Sequence, residues 1–310
     1  MDLRKFATFS ALASLALLAL LVLATEPILL GDMLKRVPAS HMVAAFVVVQ
    51  IQILASAYRW QFTAGRLGHE IEAGLAIREY YVSSALNLVL PGGMAGDAIR
   101  AYRNRTERKG GWKRPATAVF LERLSGQIAF FVLCAVGIWA WPFLLKDQLP
   151  QGISLALWAA AALLLAFLGL ALGVKQSHLP ARFRNLKPAL AKVFWHDGAW
   201  IVQAGLNLII VSGYIATFLI ASDAVGAPLP PIAAFTILPL CLLTMLIPAG
   251  IGGWGTREAA AAALWPLLGF ASTQGLAASL LYGVLSLAGA AIPSALAIVI
   301  ALVKGRLVRA

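Results

Sequence analysis

Apolar residues along this chain come in long runs, not in alternation. Runs near the 20 residues that a helix needs to cross a bilayer fall at roughly 6–24, 42–58, 116–141, 153–174, 199–220 and 272–302, with a bend expected at Pro293. Two further apolar regions, 75–103 and 232–267, are each broken by a cluster of proline and glycine. The first break reads LPGGMAGDAIRAY, Leu90 to Tyr102. A proline, three glycines, an Asp and an Arg in such a setting are not ordinary helix interior.

The polar stretches between the runs set an orientation. Residues 100–114 carry seven Lys/Arg, and 175–192 carry Lys175, Arg182, Arg184, Lys187 and Lys192. The tail has Lys304, Arg306 and Arg309, the head has Arg4 and Lys5, and 59–70, read as a loop, has Arg59 and Arg66. The remaining loops are poorer in base. Residues 25–40 balance Lys35 and Arg36 with Glu26 and Asp32, 142–152 holds Lys146, and 221–231 has no Lys or Arg. The positive-inside rule then predicts cytoplasmic N- and C-termini in an inner (plasma) membrane, with 59–74, 100–114 and 175–197 on the same side.

A segment whose two flanks are both cytoplasmic cannot cross once. Region 75–103 is therefore expected to enter and return. Its arms, about 76–90 and 94–103, would rise roughly 22 Å and 15 Å at helical pitch and put the tip, Pro91, Gly92 and Gly93, near mid-membrane. The same reasoning makes 232–267 enter and leave from the outside, with its tip in IPAGIGGWGTRE, Ile247 to Glu258. The two tips share a spelling. Pro91, Gly93, Gly96 and Arg100 match Pro248, Gly250, Gly253 and Arg257, each at an offset of 157 residues, about half the chain. The expected fold is an all-α polytopic membrane protein. It has six transmembrane helices plus two re-entrant helical hairpins in an inverted-topology repeat, 1–150 and 151–310, forming one membrane domain. Broken helices paired in this way point to a binding site.

Composition narrows the class. The 310 residues are 61% hydrophobic and 12% charged, with a mean hydropathy of +0.84, which is membrane composition. The net charge of +12 resides in short loops facing anionic lipid, so nucleic acid is excluded as a partner. Cys134 and Cys241 lie in apolar runs and read as packing residues. The start, MDLRKF, resembles a signal peptide, but no small-residue cleavage pattern precedes Glu26, and a retained first helix is expected.

Chemistry enters through the tips. Non-helical backbone at membrane depth survives when buried in protein or lining a wet cavity. The N–H groups that begin each returning arm, with Arg100 and Arg257 about one turn in, suit an anion such as a lipid phosphate. The plainer reading lets Arg100 snorkel beside Arg103 and Arg105, while Asp97 and Glu258 neutralise the arginines. Glu122 and Arg123, in FLERLSG, are adjacent and face different ways, so each needs its own partner; Glu122 pairs with a tip arginine or forms a structural ion pair. Asn87 and Gln127 either line the cavity or act as interhelical glue. Trp254 either stacks on a ligand or packs.

Other chemistries have no motif here. There is no nucleotide-binding G-x-x-x-x-G-K-[ST], and His41, His69, His178 and His196 lack ligand spacing. No catalytic residue, metal or cofactor is therefore expected. Ser125 has no His or Asp that the topology brings near, and the outer-loop acids Glu26 and Asp32 are a weak sign of glycosyl transfer.

Three ordered stretches, LVLPGGMAGDAIRAYR, AVFLERLSGQ and IPAGIGGWGTREAA, resemble the flippase-like transmembrane family typified by the membrane region of lysylphosphatidylglycerol synthases. The resemblance covers nearly the whole chain. By it, the family's motif positions fall on Pro91, Gly93, Gly96, Asp97 and Arg100, then Glu122 and Arg123, then Pro248, Gly250, Gly253, Arg257 and Glu258. It implies movement of a modified phospholipid between leaflets. The synthase's soluble domain does not follow VKGRLVRA, so a stand-alone member is expected, one that does not synthesise aminoacyl lipid. Such members are associated with other lipids, including hopanoids and polyprenyl-linked glycolipids. The first hypothesis is thus a translocator of an anionic or head-group-modified membrane lipid, as a homo-oligomer or beside a lipid-modifying enzyme. The alternatives are a membrane enzyme acting on a lipid-linked head group, and an accessory subunit of a glycosyltransferase or lipid synthase.

Overall fold

The computed structural model describes residues 3–90, 93–105, 111–144, 186–246 and 251–307, with Leu155, Trp158, Ala159, Ala162 and Ala166. The expected span 153–174 and the tip residues Pro91, Gly92, Pro248 and Gly250 lie wholly or largely outside this set. The described elements are helices: α1 (Leu3–Ala24), α2 (Pro27–Lys35), α3 (Ala39–Arg66), α4 (Ala73–Val89), α5 (Ala95–Arg103), α6 (Lys113–Leu144), α7 (Leu186–Phe194), α8 (Ala199–Ala224), α9 (Ile237–Leu243), α10 (Thr256–Leu264) and α11 (Ser272–Leu307). Among the described residues, four helical stretches, Ala39–Arg66, Lys113–Trp141, His196–Ala224 and Ser272–Ile300, are long and apolar enough to cross a membrane. A fifth candidate is the pair Ala11–Ala24 and Pro27–Lys35, bent by 98°. The chain is a multi-pass helical membrane protein.

The longest contact joins α3 and α8, which run antiparallel. Arg66, at the end of α3, donates to the carbonyls of Lys192 (3.0 Å) and His196 (2.7 Å) and pairs with Asp197 (2.9 Å), just before α8. His41 Nε2, near the start of α3, lies 3.0 Å from Asp223 Oδ2, near the end of α8. Burial and then the nearby Arg114 guanidinium push the His69 imidazole below its usual range, so the start of α6 lies at the Arg66 end. Residues 66–69, 114 and 192–197 thus share one end of the bundle.

One expectation needs correction. The sequence places Arg59 in a cytoplasmic loop, but α3 continues to Arg66 and Arg59 is 4% exposed. The hydropathy run ends at the first charge, whereas the helix has no reason to, because the charge is paired inside the bundle. Polar side chains at Gln52, Ser56, Arg59 and Thr63 follow helical spacing and are all buried. They form an internal polar stripe. Pro293, where a bend is expected, lies within the unbroken helix α11.

The interrupted region 75–103 is an antiparallel pair of helices. Glu79 of α4 pairs with Arg103 of α5 at 3.0 Å. At the other end, the Asn87 side chain accepts from the Gly96 N–H at 2.8 Å and donates to Asp97 at 3.1 Å. Gly96 is required there, because a Cβ would run into the Ser83 carbonyl oxygen of the facing arm. The second interrupted region is α9, a short 3-10 turn over Thr244–Leu246, a glycine-rich turn at 252–255 and α10. Thr256 Oγ1 donates across it to the Thr244 carbonyl at 3.1 Å.

The two turns meet. Gly93 faces Gly252, whose Cα lies 3.9 Å from the position a Cβ on Gly93 would take. The Trp254 indole donates to the Leu88 carbonyl at 3.2 Å. Helix α1 holds the second turn, with Ser14 Oγ donating to the Trp254 carbonyl at 2.6 Å.

Candidate functional site

A cavity of about 650 Å³ opens between the two turns. Gly93 and Met94 of the first and Met245, Leu246 and Gly252 of the second form part of its wall, and α3, α4, α6, α8 and α11 supply the rest. Met94, Phe120 and Leu246 line it and are exposed, so its mouth is apolar. Its charged wall is Arg59 and Arg123, with Asn87 beside them.

These arginines belong to a buried ionic cluster. Glu122 Oε1 accepts from Arg59 Nη2 at 2.6 Å and Nε at 3.2 Å, and from the Tyr80 hydroxyl at 3.0 Å. Its other oxygen lies 3.2 Å from Arg100 Nη2. Asp97 is shared in turn, with Arg100 at 3.0 Å on one oxygen and Arg123 Nε at 2.6 Å on the other. Among the described residues, three guanidinium groups against two carboxylates leave one net positive charge. The Arg123 side chain is about one-third exposed, at 34%, so the surplus faces the cavity. Each arginine has a carboxylate partner, and the exposed part of Arg123 is where a ligand anion would balance the remaining charge.

Arg59 is aimed from both sides. Its Nη1 donates to Asn207 of α8. Asn207 donates to Ser125 Oγ (2.9 Å), Ser125 to Gln203 (3.0 Å), and Gln203 to Thr63 (3.1 Å), which stitches α3, α6 and α8 together. Gly126 leaves room for the guanidinium, since a Cβ there would sit 3.2 Å from Arg59 Nη2.

Arg100 and Arg257 occupy equivalent settings one layer behind the wall. Arg100 lies between Trp60 and Tyr80, at 4.4 Å from each ring centre. Arg257 lies over Trp254 at 5.1 Å and Tyr282 at 4.8 Å. Each is fully buried and bound to a carboxylate, Arg257 to Glu258, which also takes the Gly255 N–H at 2.6 Å and the Ser279 hydroxyl at 2.9 Å. Tyr80 and Tyr282 are the cavity-facing members of these sandwiches. The electron-rich ring faces accept guanidinium N–H groups that lack conventional acceptors.

The predicted residues therefore divide. Arg123 and Asn87 line the cavity, and Gly93 lies in its wall. Asp97, Glu122 and Arg100 support that wall from behind, while Arg257, Glu258 and Trp254 build the second turn. Gly253, with φ of +84°, packs against Met245. Sequence reasoning missed Arg59, Tyr80, Tyr214 and Tyr282. The signal for Arg59 was the spacing of 52, 56, 59 and 63, matched on α8 by the buried or half-buried Gln203, Asn207 and Tyr214. Among the described residues no group of three His, Cys, Asp or Glu is placed to hold a metal ion.

Helices interrupted in pairs around a charged cavity at bundle depth define the class: a polytopic membrane protein built around an internal polar site. The chain belongs to the family described as lysylphosphatidylglycerol synthase TM region, which matches residues 9–294. That family is linked to lipid modification or translocation. No curated protein matches the chain.

Proposed function

We propose that this protein carries an anionic lipid between leaflets, holding its phosphate against Arg59 and Arg123 in the cavity between the two turns while the tails stay in the bilayer. The observation that carries this reading is the unbalanced ionic cluster, three arginines against two carboxylates, with the surplus charge facing a cavity whose mouth is apolar. Guanidinium groups bind phosphate oxygens in charge-assisted hydrogen bonds. Such a site binds the charged end of an amphiphile and leaves the apolar end to the mouth.

In this reading the interrupted regions are re-entrant hairpins, entering from opposite faces of an inner membrane with both termini cytoplasmic. The residues 1–150 and 151–310 form an inverted repeat with six spans. The matched Arg100 and Arg257 sandwiches and the shared P-x-G-x-x-G-x-x-x-R spelling support it. The protein acts as a transporter without catalysis, as a homo-oligomer or beside a lipid-modifying enzyme. Asp97 and Glu122 hold Arg123 and Arg59 when no phosphate is bound and compete with it for release.

The test is leaflet exchange of head-group-labelled phosphatidylglycerol in proteoliposomes. Exchange faster than in empty vesicles, lost in Arg123→Ala and in Arg59→Gln, is the expected result. Exchange that survives both substitutions removes the site, and no exchange with folded protein removes the translocator.

A further inference from the structure

The wall formed by α8 and α11 carries a second recognition element, made of uncharged groups. Tyr282, 1% exposed, lines the cavity, and its hydroxyl is buried. Ser286, one turn along α11, lines the same wall and is the side chain that the Tyr282 hydroxyl engages. The Tyr282 ring is fixed on both faces, stacked on Phe218 at 4.7 Å and carrying the Arg257 guanidinium at 4.8 Å. Two hydroxyls side by side on one wall, one of them on an immobilised ring, form a fixed donor and acceptor pair that a ligand hydroxyl can join. Tyr214, Gln52 and Gln127 add polar groups to the cavity.

A second feature concerns charge. Among the described residues no carboxylate lines this cavity. Asp97 and Glu122 are 4% and 0% exposed and are engaged by arginines. An ammonium group in the cavity would meet two arginines and no anion of the protein, so its charge would go unbalanced there.

Resting on the reading of this cavity as a lipid site, we infer that it selects phospholipids whose phosphate bears an uncharged, hydroxyl-rich head group, glycerol or a sugar, and rejects those with an amine. The phosphate is read by Arg59 and Arg123, and the head-group hydroxyls are read by Tyr282 and Ser286. Aminoacylated lipids fall in the rejected class.

The experiment is competition binding to the purified protein in detergent, which needs no second leaflet and so stands apart from the transport assay. The probes are phosphatidylglycerol, phosphatidylethanol (the same phosphodiester charge without head-group hydroxyls), phosphatidylethanolamine and lysyl-phosphatidylglycerol. Phosphatidylglycerol is expected to bind about tenfold tighter than phosphatidylethanol, the effect of one or two net hydrogen bonds, and both amine lipids more weakly than either. The Tyr282→Phe/Ser286→Ala double variant, with an unchanged unfolding temperature, is expected to bring the phosphatidylglycerol to phosphatidylethanol ratio close to one. Equal binding of those two lipids to the wild type overturns the hydroxyl site. Binding of either amine lipid as tight as phosphatidylglycerol overturns the charge selection. If binding follows the prediction while leaflet exchange is absent, the selectivity stands and the translocator falls.

Discussion

Arg123 Nε lies 2.6 Å from Asp97 Oδ2, the same carboxyl group whose other oxygen holds Arg100 at 3.0 Å. One acid thus ties a cavity-facing arginine to a fully buried one. The two arginines share a partner and differ in what lies on their far side: open cavity for Arg123, two aromatic rings for Arg100. Their substitutions are expected to have different consequences.

Arg123→Ala removes the surplus charge and leaves Asp97 still paired with Arg100. Lipid exchange is expected to fall roughly 10–100-fold, the worth of a charge-assisted hydrogen bond, with a stability loss of only about 1 kcal/mol because the side chain is partly exposed. Exchange rates and thermal unfolding on the same preparation check this. A large drop in unfolding temperature together with lost exchange would make Arg123 structural.

Arg257 has the opposite profile. Glu258 has no other cation partner among the described residues, so Arg257→Ala strands a buried carboxylate. A loss of about 3–5 kcal/mol is expected. Replacing the pair together, Arg257→Met with Glu258→Gln, is expected to recover at least half of that loss, since it removes both charges. Thermal unfolding of the single and double variants decides it, and a double variant no better than the single refutes the pairing argument.

The two turns give a contrast between glycines. Gly252 has φ of +54°, and a Cβ there would sit 2.8 Å from Leu88 Cα and O. Gly252→Ala is expected to cost about 1–3 kcal/mol and force the turns apart. Gly93→Ala, whose Cβ would have 3.9 Å of clearance from Gly252, is expected to cost less, through backbone strain alone. Equal losses in unfolding temperature would show that contact between the turns is not what fixes them.

Gly126→Ala probes aim without removing charge. Its Cβ would crowd Arg59 Nη2 at 3.2 Å and Nη1 at 3.3 Å, displacing the guanidinium by a few tenths of an ångström. Exchange is expected to drop about severalfold with little change in stability, as positioning losses do. An unaffected rate would mean Arg59 does not need its present position.

The chain's hydropathy by itself determined that this is a multi-pass helical protein, because twenty apolar residues in a row have few other stable fates. It also located both interruptions, since proline and glycine break a helix through their own backbone chemistry, whatever surrounds them. What lines the cavity was decided only by tertiary structure. Arg100 and Arg257 stand out in the sequence as charges beside glycine-rich turns, yet packing puts Tyr80 and Tyr282 between them and the cavity. Arg59 looks like the first residue of a loop, yet Glu122, 63 residues away, and Asn207, 148 residues away, draw it inside. The reason is physical: a helix ends where its backbone loses partners, but a charge can be buried wherever three distant helices bring it a counter-ion and a hydrogen bond, and that meeting is not written in any local stretch of the chain.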